Sequence, residues 1–401
     1  MSEHIPADFQ VPGFLAAGIS AGLKKNQERD LALLYSEVPA VAAGVFTTNR
    51  VKAVPVLLSM ERIKSGTARA VLVNSGSANA CTGWRGLRDG RRLSRLIASF
   101  LKIDPASVLL ASTGVIGKPL LMPVIEKNLP RLVASLSSTG LGDAARAIMT
   151  TDTFPKAALT RSLVNGREIT IAGMAKGAGM INPQMATLLS FVLTDALISP
   201  QALQRSLKDG AQGSFNRITV DRDTSTNDTL LILANGRARN REILSHTAGY
   251  KKFSDLLSEV LFSLAKMIAR DGEGATKLVE IAVEGARTTS EAEQVARAVA
   301  YSPLVKTAFF GEDANWGRIL CAVGYSGMAI NPDKIDIFFD DVDIVRRGQG
   351  TGLEKEERAT WVMKKREYKI RLNLHRGRQR ASVFTTDFSY DYVKINASYR
   401  S

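Results

Sequence analysis

Histidine and cysteine are nearly absent, with three and two residues respectively in a chain of 401. That scarcity removes several chemistries. Cys81 and Cys321 are too few for a disulfide framework and neither has a partner at zinc-ligand spacing, so both read as reduced, buried, inert thiols. His4 lies near the N-terminus, His246 in a polar stretch and His375 among arginines; none adjoins a glycine-framed serine or cysteine, which argues against a Ser-His-Asp or Cys-His arrangement. No His/Asp/Glu pair has ligand spacing on a helix face, so no metal is expected. No G-x-x-x-x-G-K-[ST] or strand-following G-x-G-x-x-G occurs, which excludes the common phosphate-binding loops. An uncharged apolar run of about 18 residues is also missing. The start, MSEHIPADFQVPGF, has neither the basic opening nor the apolar core of a signal peptide, and a cytoplasmic protein without membrane partners is expected.

What is present is a globular composition, 45% hydrophobic and 23% charged, with 53 Lys+Arg against 39 Asp+Glu and a net charge of +14. The surplus gathers in WRGLRDGRRLSRL (84–96), read as a solvated helix face, and in residues 346–380, where acidic residues interrupt it. Neither stretch interleaves aromatics on a recognisable nucleic-acid module, so a nucleic-acid partner is not expected.

Strand and helix patterns alternate without a repeat or a clean linker. ARAVLVNSG (68–76) reads as a strand; LMPVIEKNLPRLVASL (121–136) has helical spacing with a proline able to break it. AALTRSLVNGREITIAG (157–173) is a hairpin around Asn165-Gly166, the pair best suited to positive φ at both turn positions. A strand in TLLSFVLTDA precedes a helix that Ser199 can cap and Pro200 can open. DTLLILANG (228–236) and TKLVEIAVEGA (276–286) read as strands, residues 251–272 as an amphipathic helix, and Ser290 with Glu293 as a capping box; the last seventy residues read as mostly strand. The mixture predicts a layered α/β fold with mixed or antiparallel sheets.

One threonine stands where a glycine-punctuated loop meets a strand, in KGAGMINPQMATLLSFVLTDA (176–196). With histidine scarce, a nucleophile that needs none is attractive: a threonine made N-terminal by chain cleavage, whose own α-amine accepts the hydroxyl proton. Cleavage of Ala186–Thr187 would create that amine, with an ordinary pKa of about 8 near working pH. Read as residues alone, the pattern is weak, and a strand threonine packing its methyl group is the commoner explanation of Thr187. LLASTGVIGKPL (109–120), MTTDTFPKA (149–157), NSGSANACTG (74–83), FNRITVDRDTSTNDT (215–229), ARDGEGATKLVE and FFGEDANWGRIL share its small, hydroxyl- and amide-rich character, which ordinary turns also have.

In order and nearly end to end, AAGVFTTNRVKAVPV, VNSGSANACTG, STGVIG, TTDTFPK, the 176–196 block, SFNRITVDRDTSTNDT, RDGEGATKLVE, FFGEDANWGRILCAVGYSG and the terminal NASYRS resemble the ornithine acetyltransferase (glutamate N-acetyltransferase) family of arginine biosynthesis. The resemblance implies a precursor that cuts itself before Thr187 into an α chain, 1–186, and a β chain, 187–401. The two intertwine in one fold of the self-processing N-terminal-nucleophile type, with about 280–401 as a smaller α/β subdomain, and assemble as an α2β2 heterotetramer. It further implies acetyl transfer from N2-acetyl-L-ornithine to L-glutamate through an acetyl-threonine ester, without a cofactor; family members differ in whether acetyl-CoA also serves as donor.

By the same resemblance, Thr113 and Gly114 stabilise the oxyanion, and Thr153, Lys176, Thr187, Glu273, Asn396 and Ser401 contact substrate. The chemistry suits these types: Lys176 can hold a substrate carboxylate, Asn396 and Ser401 can donate to it, and Glu273 can meet the ornithine ammonium. The chain departs from the family in having Arg222 where glycine is usual, Gln184 where asparagine is commoner, and a basic 84–95 segment where acidic residues are usual. Two other readings stand beside this one, a related self-cleaving amidase or aminopeptidase that passes the acyl group to water, and a basic binding protein without catalysis.

Overall fold

The structure is a computed structural model that describes residues 5–25, 27–182 and 188–398. The chain divides into two compact units: one holds residues up to Asn216 together with Asp223–Ile268, the other Arg217–Arg222 and the chain from Ala269 on.

The first unit is built on a mixed sheet of eight strands: β1 (Phe14–Ile19), β2 (Leu31–Phe46), β3 (Thr67–Ser77), β4 (Val108–Val115), β5 (Lys156–Val164), β6 (Arg167–Lys176), β7 (Leu189–Thr194) and β8 (Thr229–Ala234). Their order is β4-β3-β2-β8-β7-β6-β5, with β1 pairing β2. β3–β4 and β7–β8 are parallel and the other pairs antiparallel, which is the mixed sheet expected. Both faces are covered. Alternate residues of one strand enter different cores: Leu31 and Leu33 pack with Leu93, Ile97, Ile125 and Leu129 of helices Gly83–Leu101 and Met122–Ala134, while Ala32 and Leu34 pack with Leu141 and Ala144 of helix Leu141–Ala147. Strands buried on both sides read as continuous apolar runs, and β7 and β8 are such strands.

Local signals account for most boundaries. Asn165 and Gly166 adopt φ of 49° and 81° and close the β5–β6 hairpin. Ser199 accepts from the Ala202 amide to cap helix Pro200–Gly213. Pro130, however, does not end its helix. It lies on the exposed side, while Ile125, Leu129 and Leu132 anchor the turns around it, so the loss of one amide donor is tolerated.

The second unit has a six-stranded sheet, β12-β11-β10-β13-β9-β14, with strands β9 (Leu278–Ala286), β10 (Asp336–Phe339), β11 (Val342–Arg346), β12 (Gln349–Gly350), β13 (Glu367–Asn373) and β14 (Gln379–Thr386). Val279, Ile281 and Val283 meet Val295, Ala296 and Val299 of helix Thr289–Tyr301 in its core. The Ser290/Glu293 capping box is a misreading by two residues. β9 ends at Ala286, so the helix starts sooner: Thr288 accepts from the Glu291 amide, and Glu291 accepts from the Arg287 amide. The C-terminal seventy residues also hold more helix than expected, Leu353–Met363 and Tyr390–Ser398; their sequences lack a strong apolar stripe and resemble polar strand or loop. Both cysteines are free and exposed, not buried: Cys81 occupies a turn at φ 56° and Cys321 the outer side of helix Trp316–Gly324.

Arg222 has φ of 71°, the conformation that glycine adopts without penalty, and its guanidinium lies 5.4 Å from the centre of the Tyr301 ring. A left-handed conformation costs a residue with Cβ about 1–2 kcal/mol, and the greater unfolded freedom of glycine returns about 0.5–1 kcal/mol of that. Among variants lacking the guanidinium, Arg222→Gly should therefore be more stable than Arg222→Ala by about 0.5–1 kcal/mol in urea unfolding.

Candidate active site

Thr113 and Gly114 lie at the end of β4, beside the end of β3. There the two chains approach so closely that side chains are excluded: Gly114 has φ of 125°, and a Cβ on it would stand 2.5 Å from the carbonyl carbon of Gly76. Ser77 is bulged and pairs with both Thr113 and Val115. Bulges interrupt the ladder and re-aim backbone groups. Buried side chains fix this junction. Ser112 Oγ donates to Asn74 Oδ1 at 2.6 Å, and Asn227 Nδ2 donates to the carbonyls of Ser112 and Ala78 at 2.8 and 2.6 Å. Three of the hydroxyl- and amide-rich stretches of the sequence, around 74–78, 112–114 and 226–228, thus converge on one point.

Lys176, the last residue of β6, reaches the same point: its Nζ donates to Thr113 Oγ1 at 3.1 Å. The next amide, Gly177, donates to Asp152 Oδ1 at 2.7 Å, and Lys156 Nζ donates to the same oxygen at 2.7 Å. Asp152 Oδ2 accepts from the Thr150 amide at 2.9 Å. The Asp152 and Lys156 side chains have no solvent exposure. Burial alone would raise the Asp152 pKa; the nearby ammonium groups of Lys156 and Lys176, with the Lys156 and Gly177 hydrogen bonds, outweigh it and hold the carboxyl well below its usual range. Thr153 follows Asp152 in this turn and is exposed.

In the second unit, Glu273 and Asn396 are brought together. Asn396 Nδ2 of helix Tyr390–Ser398 donates to Glu273 Oε2 at 3.0 Å. The turn carrying Glu273 is clamped on both sides. Gly274, at φ 68°, approaches so near that a Cβ would lie 2.4 Å from the Tyr392 amide nitrogen, and Ser389 Oγ donates to its carbonyl at 2.5 Å. Asp387 accepts from the Thr276 amide, the Thr276 hydroxyl and the Lys277 amide at 2.8, 2.7 and 2.9 Å.

Of the residues singled out in the sequence, Thr113 touches Lys176 with Gly114 alongside, and Glu273 touches Asn396. Ala186, Thr187 and Ser401 lie outside the described residues. Asp152, Lys156 and Asp387 were not singled out, although TTDTFPK carries the first two four residues apart, flanking an aromatic. Among the described residues no group of three His, Cys, Asp or Glu is placed to hold a metal ion, and no helix is long and apolar enough to cross a membrane.

The ArgJ family model matches residues 15–401. An arginine biosynthesis bifunctional protein ArgJ from Geobacter sulfurreducens is 54% identical over 391 residues, covering 98% of this chain and all of that one. The protein of the same name from Syntrophotalea carbinolica is 53% identical over 392 residues, with coverage of 98% and 100%. A crystal structure of arginine biosynthesis bifunctional protein argJ from Bacillus halodurans is similar at 44% identity and a TM-score of 0.50, covering 52% of this chain and 98% of that chain. The chain belongs to the ArgJ family.

Removing one partner of a buried ion pair costs about 3–5 kcal/mol. Asp152→Ala should lower the urea-unfolding free energy by about that much, with much of it recovered when Lys156→Met is added. The folded carboxyl titrates below the ordinary value of about 3.9, so its stabilisation is complete above that pH and is lost as pH falls beneath it. Wild type minus Asp152→Asn should therefore show a constant stability difference at neutral pH that shrinks only in acid.

Proposed function

We propose that this protein transfers the acetyl group of N2-acetyl-L-ornithine to L-glutamate, giving L-ornithine and N-acetyl-L-glutamate for arginine biosynthesis. The observation that carries this reading is the match along residues 15–401 to a family whose members, at about half identity and full coverage, are bifunctional enzymes of that pathway. The second function in that name accords with acetyl-CoA as a further acetyl donor to glutamate.

The mature enzyme forms by scission of Ala186–Thr187. In the first half-reaction Thr187 Oγ attacks the acetyl carbonyl while its α-amine takes the hydroxyl proton. The tetrahedral oxyanion is met by the Thr113–Gly114 segment, where one donor is typically worth about 3 kcal/mol of barrier. Collapse breaks the amide C–N bond, the proton passes to the leaving nitrogen, and ornithine departs from an acetyl-threonine ester. The glutamate amine then attacks that ester and regenerates Thr187. Lys176 supplies positive charge beside Thr113, Thr153 and Ser401 bind substrate, and Glu273, held by Asn396, binds an ammonium group.

Sheet topology supports retention of both scission products. β7 and β8, from the β chain, are inserted between β2 and β6 of the α chain, with six paired positions at each seam. A cut in the connection between β6 and β7 severs no ladder. The match of 52% of this chain to 98% of the solved relative's chain accords with a two-chain mature protein. An α2β2 assembly acting in the cytoplasm completes the proposal.

Intact mass spectrometry tests it. Purified wild type should give two polypeptides meeting at Ala186/Thr187 and Thr187→Ala a single 43.4 kDa chain. Uncut, active wild type would refute the mechanism. Acetate release from acetylornithine at equal rates with and without glutamate would instead indicate a hydrolase. Gly114→Ala, which forces apart the β3 and β4 ends, should lower kcat about 100-fold or more.

A further inference from the structure

The basic segment 84–96, which the acetyl-transfer reading leaves unused, forms one wall of a groove. Trp84, Arg88, Arg91 and Arg95 recur at intervals of four, three and four along helix Gly83–Leu101 and so share one face. Opposite them stand Glu61 and Arg62 of helix Val54–Arg62, and the space between encloses about 640 Å³, within the rough 300–1,000 Å³ range of small-molecule sites.

The charges of this groove are not balanced internally. Asp89 serves Arg85 and Arg88, at 3.8 and 3.1 Å, and Glu126 serves Arg92. Among the described residues, Arg91 and Arg95 have no acidic partner, and Arg62 donates only to Ser94 Oγ and the Val108 carbonyl. Three guanidiniums thus face a single nearby carboxylate, Glu61, a surplus of two positive charges. At Arg62 burial lowers the pKa most; the Glu61 carboxylate opposes this, and the Arg91 guanidinium adds a smaller lowering. At the other end of the groove the Trp84 indole is 74% exposed, with Arg88 5.0 Å from the ring centre. From Trp84 to Arg91 the helix advances seven residues, about 10 Å.

We propose that this groove binds a nucleoside diphosphate, its base laid on the Trp84 indole and its phosphates held by Arg62, Arg91 and Arg95. Guanidinium is the side chain best matched to phosphate oxygens, through paired N–H donors. An indole offers a flat face to any base. One terminal phosphate carries about −1.5 to −2 at pH 7, enough to neutralise the surplus, and the second phosphate bridges the distance back to the ring. A free phosphate would use the arginines and leave the indole idle. The inference does not depend on the acetyl-transfer reading, and its residues lie outside that machinery.

Calorimetric titration of the full-length protein with ADP, adenosine, pyrophosphate and a single-stranded oligonucleotide decides the matter. ADP should bind saturably, with a Kd below about 1 mM, and adenosine and pyrophosphate each at least about tenfold more weakly, since each keeps one half of the contacts. Trp84→Ala and the double variant Arg91→Glu/Arg95→Glu should each weaken ADP about tenfold or more while leaving the melting temperature unchanged, because all three positions are exposed. The proposal is overturned by absence of ADP binding, by ADP binding that survives either variant, by pyrophosphate binding as well as ADP, or by an oligonucleotide that binds tighter than ADP and gains affinity with length.

Discussion

A carboxylate without solvent must find its compensation inside the protein, and Asp152 finds it in Lys156 and in the amides of Thr150 and Gly177. This one group ties the start of β5 to the end of β6. The β5–β6 register pairs Lys156 with Ala175, which brings the ammonium to the strand end that carries Lys176. A slip of one residue would turn Lys156 to the other face and leave a buried charge unpaired, a far larger penalty than lost packing. The ion pair and the sheet register are therefore one constraint, and the position of Lys176 against Thr113 depends on both.

The junction of β3 and β4 uses a different device. Parallel strands lack a tight turn to hold their ends together. Here glycine at 76 and 114 lets the backbones close, and the amides and hydroxyls of Asn74, Ser112 and Asn227 satisfy the groups that closure buries. Satisfied buried networks rigidify, and this one holds the ends of β3 and β4 in a single arrangement. In the second unit Asp387 does the same for the Glu273 turn by accepting three bonds from Thr276 and Lys277.

Local rules carried the reading of the sequence far where they act alone: the Asn165-Gly166 turn, the Ser199 cap and the apolar runs of β7 and β8 all have short-range causes. They failed where tertiary context decides. Pro130 sits in a helix because apolar neighbours on both sides are anchored in the core. The Thr288 cap is not legible locally, because its place follows from where β9 ends. Asp152 and Lys156 are not legible locally, because two charges in a turn look solvated until the fold encloses them. The meeting of Thr113 with Lys176 joins residues 63 positions apart and has no local signature. Arg222 is the converse case: its identity as an arginine at a glycine position already pointed to the left-handed backbone that the structure has.

The strand order also constrains when the proposed scission could occur. β7 and β8 lie inside the sheet, paired on both flanks by strands that precede them in the chain. Were the chain cut while unfolded, these strands would have to enter a half-built sheet as a separate molecule, and ordering would depend on concentration. In an uncut chain the same insertion is intramolecular, at the high effective concentration that the β6–β7 connection supplies. Once formed, the two seams hold β7 and β8 through ladder hydrogen bonds and burial of both faces, so the pairing would outlast a cut in that connection.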